Sequence, residues 1–326
     1  MKVSRRTVLS TGSAFGAATA LPAGAFAQAY PSADLHFVTS FPPGSGADVL
    51  TRYFAEKVRL LANRTVIVEN KAGASGIIAL QYTAQSKPDG HTMYLSAATA
   101  TAAQMHLYKK PPVDVLKAFQ IAATINKIAF MIVVDVNSPY KTLPELTEAL
   151  KKKGDKGSYA TSAASGIVMG AMYKAKMGLE TVEVRYKDSP GSLNDMASGR
   201  IDFTVGDPVF ALAQAREGRV RILAHAAGKR LGAAPDIPTM DESGVTGMDL
   251  VTWWAVHVPT GTPKPAIDQI NAWFKQIVAT DETKTFLNQY GGDPFILSSE
   301  EAQALFMKEE KAWAEYVRIA KIEPQG

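Results

Sequence analysis

The sequence predicts an α/β fold: mostly parallel sheets with helices on both faces. Three observations point there. Short β-branched runs alternate with helical patterns along most of the chain. The composition is globular, with 46% hydrophobic residues, 20% charged residues and no cysteine, which excludes a disordered tail, a collagen-like fibre and a disulfide scaffold. The length, 326 residues, suits about two domains, each with its own core. No repeat of roughly 20–50 residues is visible, so a solenoid or propeller is excluded. No Pro/Ser-rich linker separates two halves, which points to domains joined by crossing strands.

Residues 1–27 read as an export signal and are set aside. Lys2, Arg5 and Arg6 precede a weakly apolar run, and Ala25-Phe26-Ala27 closes it as a small-x-small cleavage signal. Ser4-Arg5-Arg6-Thr7-Val8-Leu9 is similar to the twin-arginine motif, with Val8 where Phe is preferred. An ordinary secretory signal with two arginines fits as well, and either route leads to the periplasm. Without those three cations the net charge falls from +4 to +1. No basic stripe then remains to follow a phosphate backbone, so nucleic acid is not an expected partner. Lys151, Lys152 and Lys153 end a helical pattern, where cations suit the helix dipole.

Strands are expected at 35–41, 65–70, 91–97, 129–136, 182–187, 201–206 and 220–225. Leu50, Phe54, Val58 and Leu61 mark one face of a first helix, and 143–153 reads as another. Ile267, Ile270, Phe274, Ile277 and Val278 keep helical spacing after Pro263 and Pro265, with proline tolerated in a first turn. A last helical region covers 298–319, where Leu305, Phe306, Trp313 and Tyr316 read as core packing.

Three segments repeat one plan of strand, small-residue loop and helix start: 41–48, 69–76 and 159–166. Helix N-termini offer unpaired N–H groups, small residues admit a ligand to the backbone, and α/β sheets bind ligands beyond strand carboxyl ends. Ser45, Thr161 and Ser165 add hydroxyl donors. Each loop taken singly also fits a tight turn before a capped helix. Enzyme signatures are missing. Val49 stands where a dinucleotide fingerprint needs its third glycine, and no Gly-x-Ser-x-Gly elbow occurs. The five histidines show no metal-ligand spacing. No cofactor, metal site or catalytic residue is expected. The rival readings are a secreted α/β hydrolase with an unrecognised Ser/His/Asp meeting and a ligand sensor without transport.

Ordered along the chain, the first loop is followed by Arg52, Val68-Glu69-Asn70-Lys71 and Lys87-Pro88-Asp89-Gly90. Then come Tyr186-Lys187, Asn194-Asp195 and Gly199-Arg200-Ile201-Asp202. Pro235-Asp236-Ile237-Pro238-Thr239, Thr252-Trp253-Trp254 and Pro259-Thr260-Gly261-Thr262-Pro263 complete the series. In their sum the sequence resembles the Bug receptors, the extracytoplasmic solute-binding subunits of tripartite tricarboxylate transporters. The resemblance implies a two-lobed, periplasmic-binding-protein-like clamp without catalysis. Its lobe one would be 30–131 plus 253–326 and its lobe two 132–252. It implies a monomer that holds a small organic acid and delivers it to integral membrane subunits.

The resemblance assigns solute contacts to Phe41, Ser45, Gly46, Ala47 and Asp48 of the first loop, and to Gly73, Ala74, Ser75 and Gly76 of the second. The opposite lobe would add Thr161, Ser165, Ser189 and Asp207. Departures from the family pattern concentrate there. Thr161, Ala163, Ser165 and Met169 replace Ser, Gly, Gly and His, and Arg185-Tyr186-Lys187-Asp188-Ser189 replaces Pro-Tyr-Lys-Gly-Ser. In the first lobe the departures are Ser45, Ala72, Ser75 and Ile77. A cleft-facing Asp188 would disfavour a second anionic group and favour an ammonium, ring N–H or hydroxyl. Alternatively it pairs with Arg185 or Lys187 at the surface.

Overall fold

The computed structural model describes residues 30–162, 164–186 and 190–325. The expected export signal, 1–27, and the candidate residues Asp188 and Ser189 lie outside them.

Strand β1 (Leu35–Thr39) leads into helix α1 (Gly46–Ala62), which buries Leu50, Phe54 and Val58 against it. Leu61, expected on that face, is 38% exposed because the helix outruns the sheet near its left-handed cap, Asn63. Strand β2 (Val66–Asn70) and helix α2 (Ile77–Ala84) follow, then β3 (Thr92–Ala97), which passes without a loop into α3 (Ala98–Leu107). A short α4 (Val115–Ala118) precedes the long β4 (Phe119–Ala129). One residue, Phe130, separates β4 from β5 (Met131–Asp135), and there the chain changes sheet.

The second sheet is built from a contiguous stretch. After α5 (Leu143–Lys153) come β6 (Ser158–Thr161), α6 (Ala164–Met177), β7 (Val182–Arg185) and α7 (Leu193–Ala197). Next are β8 (Phe203–Gly206), α8 (Pro208–Arg216) and β9 (Val220–His225). The chain then returns to the first sheet through β10 (Val251–Pro259). Helix α9 (Lys264–Val278), α10 (Asp281–Gln289), the short β11 (Asp293–Pro294) and α11 (Ser299–Ile319) complete it. Ser298 and Glu301 form a reciprocal capping box at the start of α11.

The first sheet has the order β11-β4-β10-β3-β1-β2 and the second β7-β6-β8-β5-β9. The expectation of mostly parallel sheets needs correction, because both are mixed. β1 runs parallel to β2 and β3, and β6 runs parallel to β7 and β8. Every antiparallel ladder involves β4, β5 or β10, the strands that carry the chain between sheets. A strand arriving from the other sheet enters against the local direction.

Apolar side chains cover both faces of each sheet. Phe37, Phe54 and Phe274 stack between β1, α1 and α9, and Trp273 of α9 stacks on Tyr30 at 5.7 Å. One continuous core joins the sheets through Phe130, Trp253 and Phe306. Contacts between the two halves are close. The Asp293 carboxylate accepts from the Gly232 and Ala233 amides at 3.0 Å each, and Arg216 donates to the Gln289 carbonyl at 3.1 Å.

Candidate functional site

Loop one is held by its own side chains. Ser45 caps α1, its Oγ accepting from the Asp48 amide at 3.2 Å and donating to the Pro42 carbonyl at 2.8 Å. Asp48, only 3% exposed, accepts from the Gly44 amide and Arg52 Nε at 2.9 Å each and from Asn70 Nδ2 at 2.7 Å. Burial raises its pKa, but the bonds from Arg52, Asn70 and Gly44 outweigh burial and hold the carboxyl below its ordinary value. Asn70 Nδ2 also donates to the Phe41 carbonyl at 3.0 Å, and Arg52 reaches Asn70 Oδ1 at 3.1 Å. Asp48 therefore shapes the loop, since both its oxygens already have donors.

Loop two begins on the same strand. After Asn70 the chain makes a single 3-10 turn, Ala74–Gly76, with three left-handed residues: Gly73 at φ +123°, Ala74 at +46° and Gly76 at +91°. A Cβ at Gly76 would come within 3.4 Å of the Ser40 Cβ and 3.6 Å of the Tyr94 hydroxyl. Glycine is needed both for the backbone angle and for the open space beyond it.

That space is a cavity of about 270 Å³. Of the first-loop and second-loop candidates, Phe41, Gly73 and Gly76 wall it. Ser45, Gly46, Ala47, Asp48 and Ala74 do not line it and act behind its wall. The remaining walls come from residues the sequence did not single out: Ser40 just after β1, Leu80 of α2, Tyr94, Ser96 and Ala97 of β3, and Ala100, Thr101 and Gln104 of α3. Tyr94 donates to Ser40 Oγ at 3.1 Å, and burial raises the phenol's pKa, so it stays a neutral hydroxyl. No lining side chain carries a formal charge. Such a cavity can receive an anion through hydroxyl and amide dipoles alone. Phe41 rests 5.8 Å from Trp254 and gives the mouth an apolar lip.

The candidates on the second sheet are distributed differently. Thr161, 1% exposed, donates its hydroxyl to Glu183 Oε1 at 2.7 Å and lines neither cavity. Asp207 caps α8 by accepting from the Phe210 amide at 3.0 Å. Ser165 lines a separate, larger cavity of about 550 Å³. Arg185, one of the two cations the sequence offers to Asp188, reaches Glu183 at 3.3 Å. Gly46 lies where the halves meet, since a Cβ there would be 3.5 Å from Val209 of α8.

No histidine lines either cavity. His36 pairs with Glu69 at 2.7 Å and His106 with Glu310 at 2.9 Å, while His225 and His257 are fully buried. Among the described residues no group of three or more metal-ligating side chains occurs, and no helix is long and apolar enough to cross a membrane.

Comparison with known proteins agrees with this architecture. A sequence profile described as "Tripartite tricarboxylate transporter family receptor" matches residues 50–322. BugT of Bordetella pertussis is 25% identical over 307 residues, covering 93% of this chain and 94% of that protein. Among solved structures, the periplasmic binding protein BugD is 29% identical with a TM-score of 0.76, covering 91% of this chain and all of that one. The R. palustris protein Rpa4515 with adipate is 25% identical with a TM-score of 0.81, covering 90% of this chain and 99% of that one.

Proposed function

The chain belongs to the tripartite tricarboxylate transporter receptor family, and from that premise we propose that it is an exported, periplasmic receptor for a small organic acid. It captures the acid between two lobes and passes it to integral membrane subunits of a transporter. The observation that carries this reading is the cavity of about 270 Å³, walled by both first-lobe loops and by neutral donors. Adipate in the similar R. palustris protein supports a carboxylate occupant. Lobe one is 30–131 plus 253–326 and lobe two 132–252, supported by the strands changing sheet at Phe130 and just before Val251. Closure is a population shift toward the state in which the solute touches both lobes. The first lobe holds one carboxylate, and the second lobe, with Asp188 and Ser189, selects the rest of the molecule.

A thermal-unfolding screen of monocarboxylates, dicarboxylates, aromatic acids and amino acids tests it. Ligand at 100 times its dissociation constant adds about 2.7 kcal/mol of stability, so an acid should raise the melting temperature and be recovered unchanged. Response to sugars or metals alone would overturn the carboxylate assignment. With the best acid in hand, Asp188→Asn should shift preference toward the diacid of equal length by about one to two decades in matched calorimetric titrations. Unchanged affinity ratios would return Asp188 to the surface.

A further inference from the structure

The larger cavity, about 550 Å³, shares no wall residue with the smaller one. Helix α3 separates them, presenting Ala100, Thr101 and Gln104 to the small cavity and Thr99 to the large one. Its walls come from both halves of the molecule: Ser165 and Val168 of α6 with the 227–231 segment on one side, and β10, Phe295 and α11 on the other. We propose that this cavity, behind the strands that join the sheets, is a second binding site for a small organic anion with a flat apolar body.

The apolar surface is aromatic. Trp253, Phe295, Trp313 and Tyr316 line the cavity, with Trp253 edge-on to Phe295 at 6.0 Å and Trp313 edge-on to Tyr316 at 5.9 Å. Flat ligands pack well against such walls.

The charges select an anion. Two of the lining acids are held by backbone amides: Asp249 accepts from Gly228 through one oxygen at 2.9 Å, and Asp293 accepts from Gly232 and Ala233. Arg230 is taken by Glu242 at 3.0 Å. Lys127 of β4, Lys229 and Lys308 of α11 remain, and none has a carboxylate within ion-pair distance among the described residues. Unpaired lysines on an aromatic cavity favour an anionic occupant.

Two further groups lack a full set of partners. The Thr99 hydroxyl, on a residue 6% exposed, makes no hydrogen bond within the described structure. A buried unpaired hydroxyl is costly, and a ligand oxygen would satisfy it. Glu309 accepts from Trp253 Nε1 at 2.8 Å, and burial pushes its pKa up to about 7, against the pull of that bond and of Lys308. The charged and titratable groups around it are Lys308 and Tyr316 on its own helix, Lys127 and Asp293 on the sheet, and Asp249, Lys229 and Arg230 on the facing segment. In its protonated form Glu309 donates to an anion, and in its ionised form it repels one. Affinity is therefore higher at pH 6 than at pH 8.

The test uses 3-iodobenzoate, with 3-iodobenzamide as its uncharged counterpart. Crystals soaked in the acid should show the iodine anomalous peak between α11 and the 227–231 segment. In calorimetry the acid should bind several-fold tighter at pH 6 than at pH 8, and the amide far more weakly. Lys127→Glu with Lys308→Glu, whose folding is checked by thermal unfolding, should weaken the acid by about ten- to hundredfold. Glu309→Gln should remove the pH dependence. A peak in the small cavity alone, equal binding of acid and amide, or full affinity in the lysine-reversed protein would overturn the site. None of these results bears on whether the small cavity takes the transported acid.

Discussion

At the scale of single residues, the candidate site rests on Asn70. Its one amide ties the Phe41 carbonyl and the Asp48 carboxylate, joining loop one to the strand from which loop two departs. Asn70→Ala leaves a buried carboxylate oxygen and a backbone carbonyl without donors. We expect it to lower stability by about 2 kcal/mol and to weaken binding of every acid by about tenfold or more, read by thermal unfolding and calorimetry. Loss of stability with unchanged affinity would refute a role in shaping the loop. The Val68-Glu69-Asn70-Lys71 motif was legible in the sequence, but its purpose was not, because Asn70 and Asp48 are brought together only by the β1–β2 ladder. The bonds that hold Asp48 were hidden for a related reason. A carboxylate in a small-residue loop reads as a solute contact until its three donors are seen.

At the scale of elements, strand positions were legible wherever β-branched residues cluster, as in β1, β2, β5 and β9. Helix α3 was not, because Ala98-Thr99-Ala100-Thr101-Ala102-Ala103 has no apolar period and so no visible face. Yet both cavities lie against it, which is why Ala100, Thr101 and Gln104 of the small cavity's wall escaped the sequence reading. Strand β4 was missed for the opposite reason: it is buried almost throughout, and nothing in 119–128 alternates. Helix α6 is set by its glycines. At Gly170 a Cβ would fall 2.5 Å from the Tyr159 ring, which is itself stacked on Phe203 at 5.1 Å. Gly170→Ala should therefore cost about 1–3 kcal/mol despite alanine's better helix propensity. Gly46→Ala meets Val209 only at ordinary contact distance and should leave stability within about 0.5 kcal/mol. Equal melting temperatures for the two variants would contradict the close packing of α6.

At the scale of the whole molecule, one buried and one half-buried group give stability opposite responses to pH. Burial holds His257 neutral, its pKa lowered to about 4 from an ordinary 6.5, despite bonds to the Tyr94 and Ala255 carbonyls. The unfolded chain takes up that proton first, so stability is full above pH 6.5 and declines toward pH 4, by about 3 kcal/mol in all. Glu309 works the other way. Its folded pKa of about 7 exceeds the ordinary 4.5, so its contribution is full below pH 4.5 and is lost as pH rises to 7. His257→Phe should flatten the acid limb, and Glu309→Gln should be more stable than the native protein at pH 8. Unfolding curves from pH 4 to pH 8 on the three proteins decide this, and parallel curves would exclude both assignments.

Strand β10 lies between β4 and β3 and is the sole bridge between them in its sheet. Its ladder pairs Val251 with Ala129 and Trp254 with Ala97, so its partners were synthesised more than a hundred residues earlier. Until it arrives, the first sheet exists as two unjoined pieces, β4 alone and β3-β1-β2. The second sheet has all its strands in hand by His225. The order of biogenesis is thus written into the topology: the second sheet can close early, and the half bearing loops one and two is joined only when β10 arrives.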